Sequence, residues 1–469
     1  MRFRLQLITI QENGQEQVQE LTEWARLEEL RPETTGLTLP ESKQVLQSLQ
    51  QAVIEQQVKT YLTERQTCAA CGQRLSLKGH HELKLRTVFG KLTVHSPRFR
   101  RCPCQLPVGP QPFSPLAQLL PERTTPERVY VETLFASLVS YGATAKLLAE
   151  VLPLEEQLNP MMIRHHLLQV GERCDQALGE EQASFVEGCP RDWAQLPIPD
   201  GPLTVGIDGA FVRAQHGAGW FEVIVGKSVL AFRRPSEEEE ESSKCFGFVQ
   251  TYDTKPKRRL FELLKTQGMQ PNQQVVFLSD GGDDVRNLQL FLSPEAEHRL
   301  DWFHVTMRLT VLRQQALGVK AMEEKQRQDL LEQIERIKHY LWHGNVFQAL
   351  KHIELLQMDV DCLEEQTPKV KKLQQGVEEF WTYIQNNGGY IPNYGELYRC
   401  EETISTSFVE STVNYVVSKR FVKKQAMQWS QRGAHLLLQT RTKVLNEELE
   451  DTFRRWYPAF RPMPLSAAA

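Results

Sequence analysis

The sequence predicts an α/β core interrupted by an all-helical insertion and preceded by a β module and a helical module. Three observations carry this expectation. From residue 203, LTVGIDGAFVRA, WFEVIVGKSVLAF and SKCFGFVQTYD read as three strands joined by turns, followed by KRRLFELLKTQGM with the apolar spacing of an amphipathic helix. A buried strand at Val275 to Leu278 ends abruptly at Ser279, Asp280 and two glycines, and a short strand at roughly Arg299 to Phe303 follows a helix that Asp283 and Asp284 would cap. From Met307 to about Asn386 the chain is helical and rich in Glu, Gln and Lys, a stretch too long to belong to the sheet.

Composition narrows the classes. At 469 residues the chain suits about three domains. A net charge of −4 means that any surface for nucleic acid must be local. No apolar run reaches the ~18 residues of a membrane span, and the N-terminus alternates like a strand of a cytoplasmic protein. Four of the nine cysteines form tight pairs while Cys174, Cys189, Cys245, Cys362 and Cys400 are scattered, which suits a reduced chain with one metal site.

Residues 1–66 read as a short strand and then polar helices. The module at 67–110 holds Cys68-Ala-Ala-Cys71 and Cys102-Pro-Cys104, separated by a hairpin-length segment, the spacing of a zinc ribbon. His80, His81 and His95 lie between the pairs and could replace a thiolate. The same segment carries Arg74, Lys78, Lys84, Arg86, Lys91, Arg98, Arg100 and Arg101 against only Glu82, a footprint for phosphates, although a solvated strand face would look similar. Residues 120–190 read as helices broken at Asn159-Pro160. The second helix bears Arg164, His165 and His166 and could enter a DNA groove as in a helix-turn-helix, or simply pack.

The core is expected at 199–306 and again at 391–460, on either side of the insertion at 307–390. Three strands, a helix, a strand, a helix and a strand is the order of an RNase H-like fold. Asp208 lies inside an apolar strand, a costly place for an acid unless it is paired or binds a metal. Asp280 stands where a strand stops, and Asp301 and His304 sit on the last strand. Glu410 opens a helix that continues through Asn414 to Lys419, Arg420, Lys423 and Lys424, and an acid there is equally suited to be a cap. Trp342 and Trp381 in the insertion could stack on an unpaired base or fill its core.

Gly206-Ile-Asp208-Gly, Leu278-Ser-Asp280-Gly-Gly, His298-Arg-Leu-Asp301-Trp-Phe-His304 and Ser407-Phe-Val-Glu410-Ser-Thr-Val-Asn together resemble the Kra-type insertion-sequence transposases, Mutator-like DDE enzymes. The cysteine pairs and TVFGKLTVHSPRFRRCPC are similar to that family too, so the resemblance runs from about residue 60 to 460. It implies that Asp208, Asp280 and Glu410 are a catalytic triad holding two Mg²⁺ (or Mn²⁺) ions, and that Asp301 and His304 form the family's C/D-x-x-H motif. It further implies double-stranded DNA partners (element ends and target), a homo-oligomer on DNA, and a place at the bacterial nucleoid. A structure-selective nuclease and a non-catalytic zinc-ribbon regulator derived from a transposase are the alternatives. The presence of all three acids argues against the second.

Overall fold

The computed structural model describes residues 1–461 apart from 12–13, 27–29, 106–111, 155–157, 186–187, 198, 200–202, 216–218, 230–242, 283–291, 293–295, 320–321, 364–366 and 423–426. Asp283, Asp284, Lys423, Lys424 and most of the acidic loop at 236–244 lie outside the described residues. The described chain is mixed α/β and divides into two compact units, Met1–Val170 with Glu448–Ala469, and Gly171–Glu447.

Two hairpins shape the first unit. β1 (Arg2–Ile10) and β2 (Glu16–Ala25) pair antiparallel around a turn in which Gly14 has φ +79°. Helix was expected where β2 lies, because Gln and Glu on its solvent side obscure its period of two. α1 (Leu39–Glu64) opens with a capping box in which Thr38 and Glu41 each accept from the other's backbone N–H. β3 (Leu77–Thr87) and β4 (Gly90–Arg100) form the second hairpin, and the short β5 (Pro112–Phe113) pairs with β4. Leu83, Leu85, Leu92 and Val94 point from one face of that hairpin into a core with Ile54 and Leu116, so the alternate, cationic residues face outward. α2 (Pro115–Leu119), α3 (Pro126–Leu138), α4 (Tyr141–Val151) and α5 (Pro160–Ala177) follow, the last continuing into the second unit from Gly171. The C-terminal helix Leu449–Trp456 also belongs here, where Phe453 and Phe460 set their edges on Tyr130 at centroid distances of 5.4 and 5.2 Å. The expected core segment 391–460 therefore gives up its end to this unit.

The second unit contains a short helix α6 (Pro190–Trp193), then β6 (Leu203–Arg213), β7 (Trp220–Val229), β8 (Lys244–Val249), α7 (Pro256–Thr266), β9 (Val275–Ser279) and β10 (Ala296–Leu300). Its sheet has the order β8-β7-β6-β9-β10, antiparallel across the first three strands, with β9 parallel to β6 and β10 parallel to β9. On one face Leu203, Val205, Ile207, Val275 and Phe277 pack against Leu260, Leu263 and Leu264 of α7.

The helical stretch begins at Trp302, earlier than expected, because Asp301 ends the strand by capping the next helix. α8 (Trp302–Gly318), α9 (Glu324–Trp342), α10 (Val346–Asp361) and α11 (Pro368–Asn387) pack consecutively, and the first also packs on the last. Val305, Leu309, Leu312 and Ala316 repeat at helical spacing and bury against Ile337, Ile353, Val377 and Phe380. α12 (Tyr394–Arg399) leads back to α13 (Ser407–Val413), a π-helix of 9 residues (Asn414–Val422) and α14 (Gln431–Leu445).

α13 lies directly on the second face of the sheet at Gly206, where an added methyl would collide with Val409 Cγ2 and the Phe408 ring. We expect Gly206→Ala to destabilise this unit by about 2–3 kcal/mol, the cost of overpacking a central strand. Urea denaturation of the two proteins measures it, and an unchanged midpoint would show that α13 can lift freely.

Candidate active site and candidate metal centre

Strand register brings the expected acids together. β6 and β9 run parallel with Gly206 opposite Leu278, so two residues further on Asp208 falls beside Asp280. β9 and β10 run parallel with Ser279 opposite Leu300, so Asp301 comes next in the same row, and its N–H donates to Ser279 O at 2.9 Å. Neighbouring strands are about 4.8 Å apart, which makes like charges at three adjacent strand positions a costly arrangement.

The electrostatics agree with that geometry. Asp208 is half-buried, with one carboxylate oxygen accepting from Gly209 N at 2.8 Å. Burial first, then the charges of Asp280 and Asp301, push its pKa up against the Gly209 hydrogen bond and His304. Asp280 is exposed at the strand end, where its side chain accepts from Gly282 N at 3.0 Å. The turn after it needs glycine: Gly281 has φ +87°, and an added methyl would strike the Asn387 side chain.

Asp301 differs from the other two. It is completely buried and accepts from Phe303 N at 2.8 Å, Thr406 N at 3.1 Å, Thr406 Oγ1 and His304 Nδ1 at 2.7 Å. A carboxylate with four hydrogen bonds has little left to offer a metal, so Asp301 is a positioning residue. His304, expected on the strand, sits instead in the first turn of α8. Burial would lower its pKa, but the hydrogen bond it donates to Asp301 and the charges of Asp301, Asp280 and Asp208 hold it above 6.5.

Glu410 lies on α13 next to Val409, the residue packed against Gly206. It is not the cap of that helix. The N-cap is Thr406, and the Glu410 carboxylate makes no hydrogen bond among the described residues.

Among the described residues, two sets of His, Cys, Asp or Glu side chains bring all their ligand atoms within 4.8 Å of one another: the four paired cysteines, and Asp175, Asp253 and His435. Asp208, Asp280 and Glu410 are not drawn together that tightly. The second set already has its cation. Arg259 donates to Asp253 at 2.9 Å and to Asp175 at 2.7 Å, and Val249 N donates to His435 Nδ1 at 3.5 Å. It is a buried ion-pair node, and a metal would have to displace the guanidinium.

The cysteine set can hold a structural zinc ion. Its sulfurs lie 3.5 Å (Cys68 to Cys104), 3.4 Å (Cys71 to Cys102) and 3.5 Å (Cys71 to Cys104) apart. A tetrahedron with metal–sulfur bonds of about 2.3 Å has edges of about 3.8 Å, whereas a disulfide needs about 2.05 Å. Backbone N–H groups of Ala70 and Cys71 hold the Cys68 thiol down at about 7, whereas the neighbouring sulfurs push Cys104 up, and Cys71 is also raised, a mutual crowding that a bound cation would relieve. Histidine is not needed: His80, His81 and His95 lie along β3 and β4 rather than in the cluster.

The cations expected to meet nucleic acid divide into two groups. Lys84, Lys91, Arg98, Arg100 and Arg101 are exposed and Arg86 half-buried, on or beside the second hairpin, with no ion-pair partner among the described residues. Arg86 stands directly opposite Lys91. Elsewhere several of the expected residues are packed inside the protein. His166 on α5 is buried against Glu132, Nδ1 to Oε2 2.6 Å, with Arg128 on the other carboxylate oxygen at 2.8 Å, and Arg164 is half-buried, so packing shapes much of that helix face. Lys419 is exposed, but Arg420 is buried to 1% and lies 5.3 Å from the Trp429 ring centre, because the π-helix rotates the face that an α-helix would present. Trp342 packs between Trp302 at 5.1 Å and Tyr398 at 5.9 Å, and Trp381 packs against the bundle core, so neither is an open stacking platform.

Sequence reasoning missed Thr406, Tyr383 and Arg308 around this site. Of the residues that surround Asp208 and Asp280, Asp301 and His304 left a readable signal, an acid three residues before a histidine. No described helix is long and apolar enough to cross a membrane. Compared with known proteins by sequence, the chain matches no family model and no curated protein.

Two outcomes test these centres. Protein purified without chelator should contain about one zinc per chain by metal analysis, and Cys71→Ser should lose it and unfold the hairpin module; metal-free wild type would refute the ribbon. Because the folded state binds the His304 proton more tightly than the unfolded chain does, its stabilisation is complete below pH ~6.5 and disappears as pH rises through the higher folded value. Without added divalent metal, His304→Gln should therefore cost more stability at about pH 6 than at about pH 9, and denaturation curves showing equal cost would remove that coupling.

Proposed function

We propose that this chain is a DDE transposase with an RNase H-like core, binding the ends of an insertion sequence, cleaving them and joining them to target DNA. The observation that carries the reading is the alignment of Asp208 and Asp280 on adjacent parallel strands, with the Glu410 helix packed across Gly206. The strand order, three antiparallel strands followed by two parallel ones, supports it.

The donor set fits hard divalent cations. Carboxylate oxygens are what Mg²⁺ or Mn²⁺ takes, and the crowding that raises Asp208 is relieved by positive charge. Asp208, Asp280 and Glu410 would hold two such ions, which when bound activate a water or 3′-hydroxyl and stabilise the leaving oxygen. Asp301 fixes the ring of His304 through Nδ1, leaving Nε2 without a hydrogen bond among the described residues and able to orient a phosphate oxygen. Thr406, held by Asp301, accepts from Glu410 N at 3.1 Å and so places the helix that carries the third acid.

DNA binding is assigned to the second hairpin. Arg86 and Lys91 opposite each other repel unless an anion lies between them, and DNA phosphates supply anions at regular spacing.

Strand cleavage and joining of a labelled terminal-repeat duplex tests the reading. Asp208→Ala, Asp280→Asn and Glu410→Gln should each abolish Mg²⁺-dependent cleavage, by at least ~10³-fold, while gel shifts stay near wild type. His304→Ala should slow the reaction without abolishing it. Wild-type cutting by Glu410→Gln would remove that residue from the triad, and cleavage without joining would favour a structure-selective nuclease.

A further inference from the structure

We propose that Arg308, on the first helix of the bundle, is a substrate-phosphate contact of the acidic site, held there by Tyr383, which also fixes Asp280. This rests on the reading of Asp208, Asp280 and Glu410 as phosphoryl-transfer acids. Arg308 follows His304 by one helical turn on α8, so both project from the same face. Its guanidinium carbon lies 4.1 Å from the centre of the Tyr383 ring. The hydroxyl of Tyr383 in turn donates to the main-chain oxygen of Asp280 at 3.0 Å. A continuous chain of contacts therefore runs from Asp280 through the tyrosine to the guanidinium.

Among the described residues no ion pair accounts for that guanidinium. Arg308 is exposed and has no carboxylate partner among the described residues, whereas the buried Arg259 and Arg299 each bind two acids. A site lined by acids repels a phosphodiester, and a planar fork beside it can bind two non-bridging oxygens at once. Stacking on a ring fixes the plane of the fork, which lysine cannot reproduce. Tyr383 stays a neutral donor, since burial first, and the charges of Asp280 and Asp301 after it, push its pKa up despite Arg308. Its neighbour on the next turn, Asn387, lies against Gly281, so the same helix, α11, touches the Asp280 turn twice.

The experiment uses the full chain and a labelled DNA duplex of arbitrary sequence. Binding is measured against salt without divalent metal, and single-turnover cleavage with Mn²⁺. Arg308→Ala should flatten the slope of log affinity against log salt by about 0.9, one phosphate contact, and slow cleavage at least ~10-fold. Arg308→Lys should restore the slope but not the rate. Tyr383→Phe, which keeps the ring and loses the hydroxyl, should leave the slope alone and lower the rate. An unchanged slope for Arg308→Ala overturns the inference whether or not the wild type cuts DNA. Wild-type cleavage that survives Asp208→Ala instead overturns the phosphoryl-transfer reading, and the slope still decides whether Arg308 meets phosphate.

Discussion

The second unit depends on one buried carboxylate. Asp301 closes β10, caps α8, orients His304 and binds Thr406 from a segment 105 positions away. Removing a carboxylate from water costs several kcal/mol, and each charge-assisted hydrogen bond returns about 1.5–3 kcal/mol, so only the complete set makes the site tolerable. That requirement is what makes it informative. The sheet edge, the bundle and the returning strand of chain must all be in place together, and Trp302 N donating to Ile404 O at 3.1 Å adds a backbone link at the same junction. A helical insertion is thereby tied to the sheet at both of its ends, and Thr406 O, accepting from Glu410 N at 3.1 Å, continues the junction into α13.

Two acidic clusters of this unit show how charge separates structure from chemistry. Around Arg259 the carboxylates of Asp175 and Asp253 have a guanidinium between them and a glutamine, Gln439, at 2.5 Å to complete its donors. Every charge is answered within the protein. In the row of Asp208, Asp280 and Asp301 only Asp301 is answered, by backbone, hydroxyl and imidazole donors. Asp208 keeps one backbone hydrogen bond and a pKa pushed up by its surroundings. The first cluster looks more like a metal site by ligand spacing alone, yet it has no need of a metal. The second is looser and has unanswered charge.

Much of the sheet was legible because its strands are strongly periodic: β6, β7, β8, β9 and α7 fall where the apolar pattern put them. Asp208 and Asp280 were legible for a different reason, as acids in or at the end of apolar runs. What the sequence hid depends on partners that are remote in the chain. The part played by Asp301 requires Thr406, and the orientation of Trp342 requires Trp302 and Tyr398. Arg420 was misplaced because a helical wheel assumes a regular turn, and a π-helix of 9 residues moves each following side chain to another face. β2 was missed for want of a clean apolar alternation.

The two faces of the sheet explain why the acids occupy the side they do. One face is filled by Leu203, Val205, Ile207, Val275 and Phe277 against α7. On the other, Gly206, opposite Lys227 of β7, stands in place of a side chain. The absence of a side chain at 206 lets Val409 and Phe408 of α13 come within contact of β6. A helix held that close sets Val409, the residue before Glu410, against the strand that carries Asp208. With a larger residue at 206 the helix would stand off, and Glu410 would move away by the width of a side chain, a change comparable with the span over which two carboxylates can share an ion. The glycine before the first acid is therefore as much a part of the site's geometry as the acid itself.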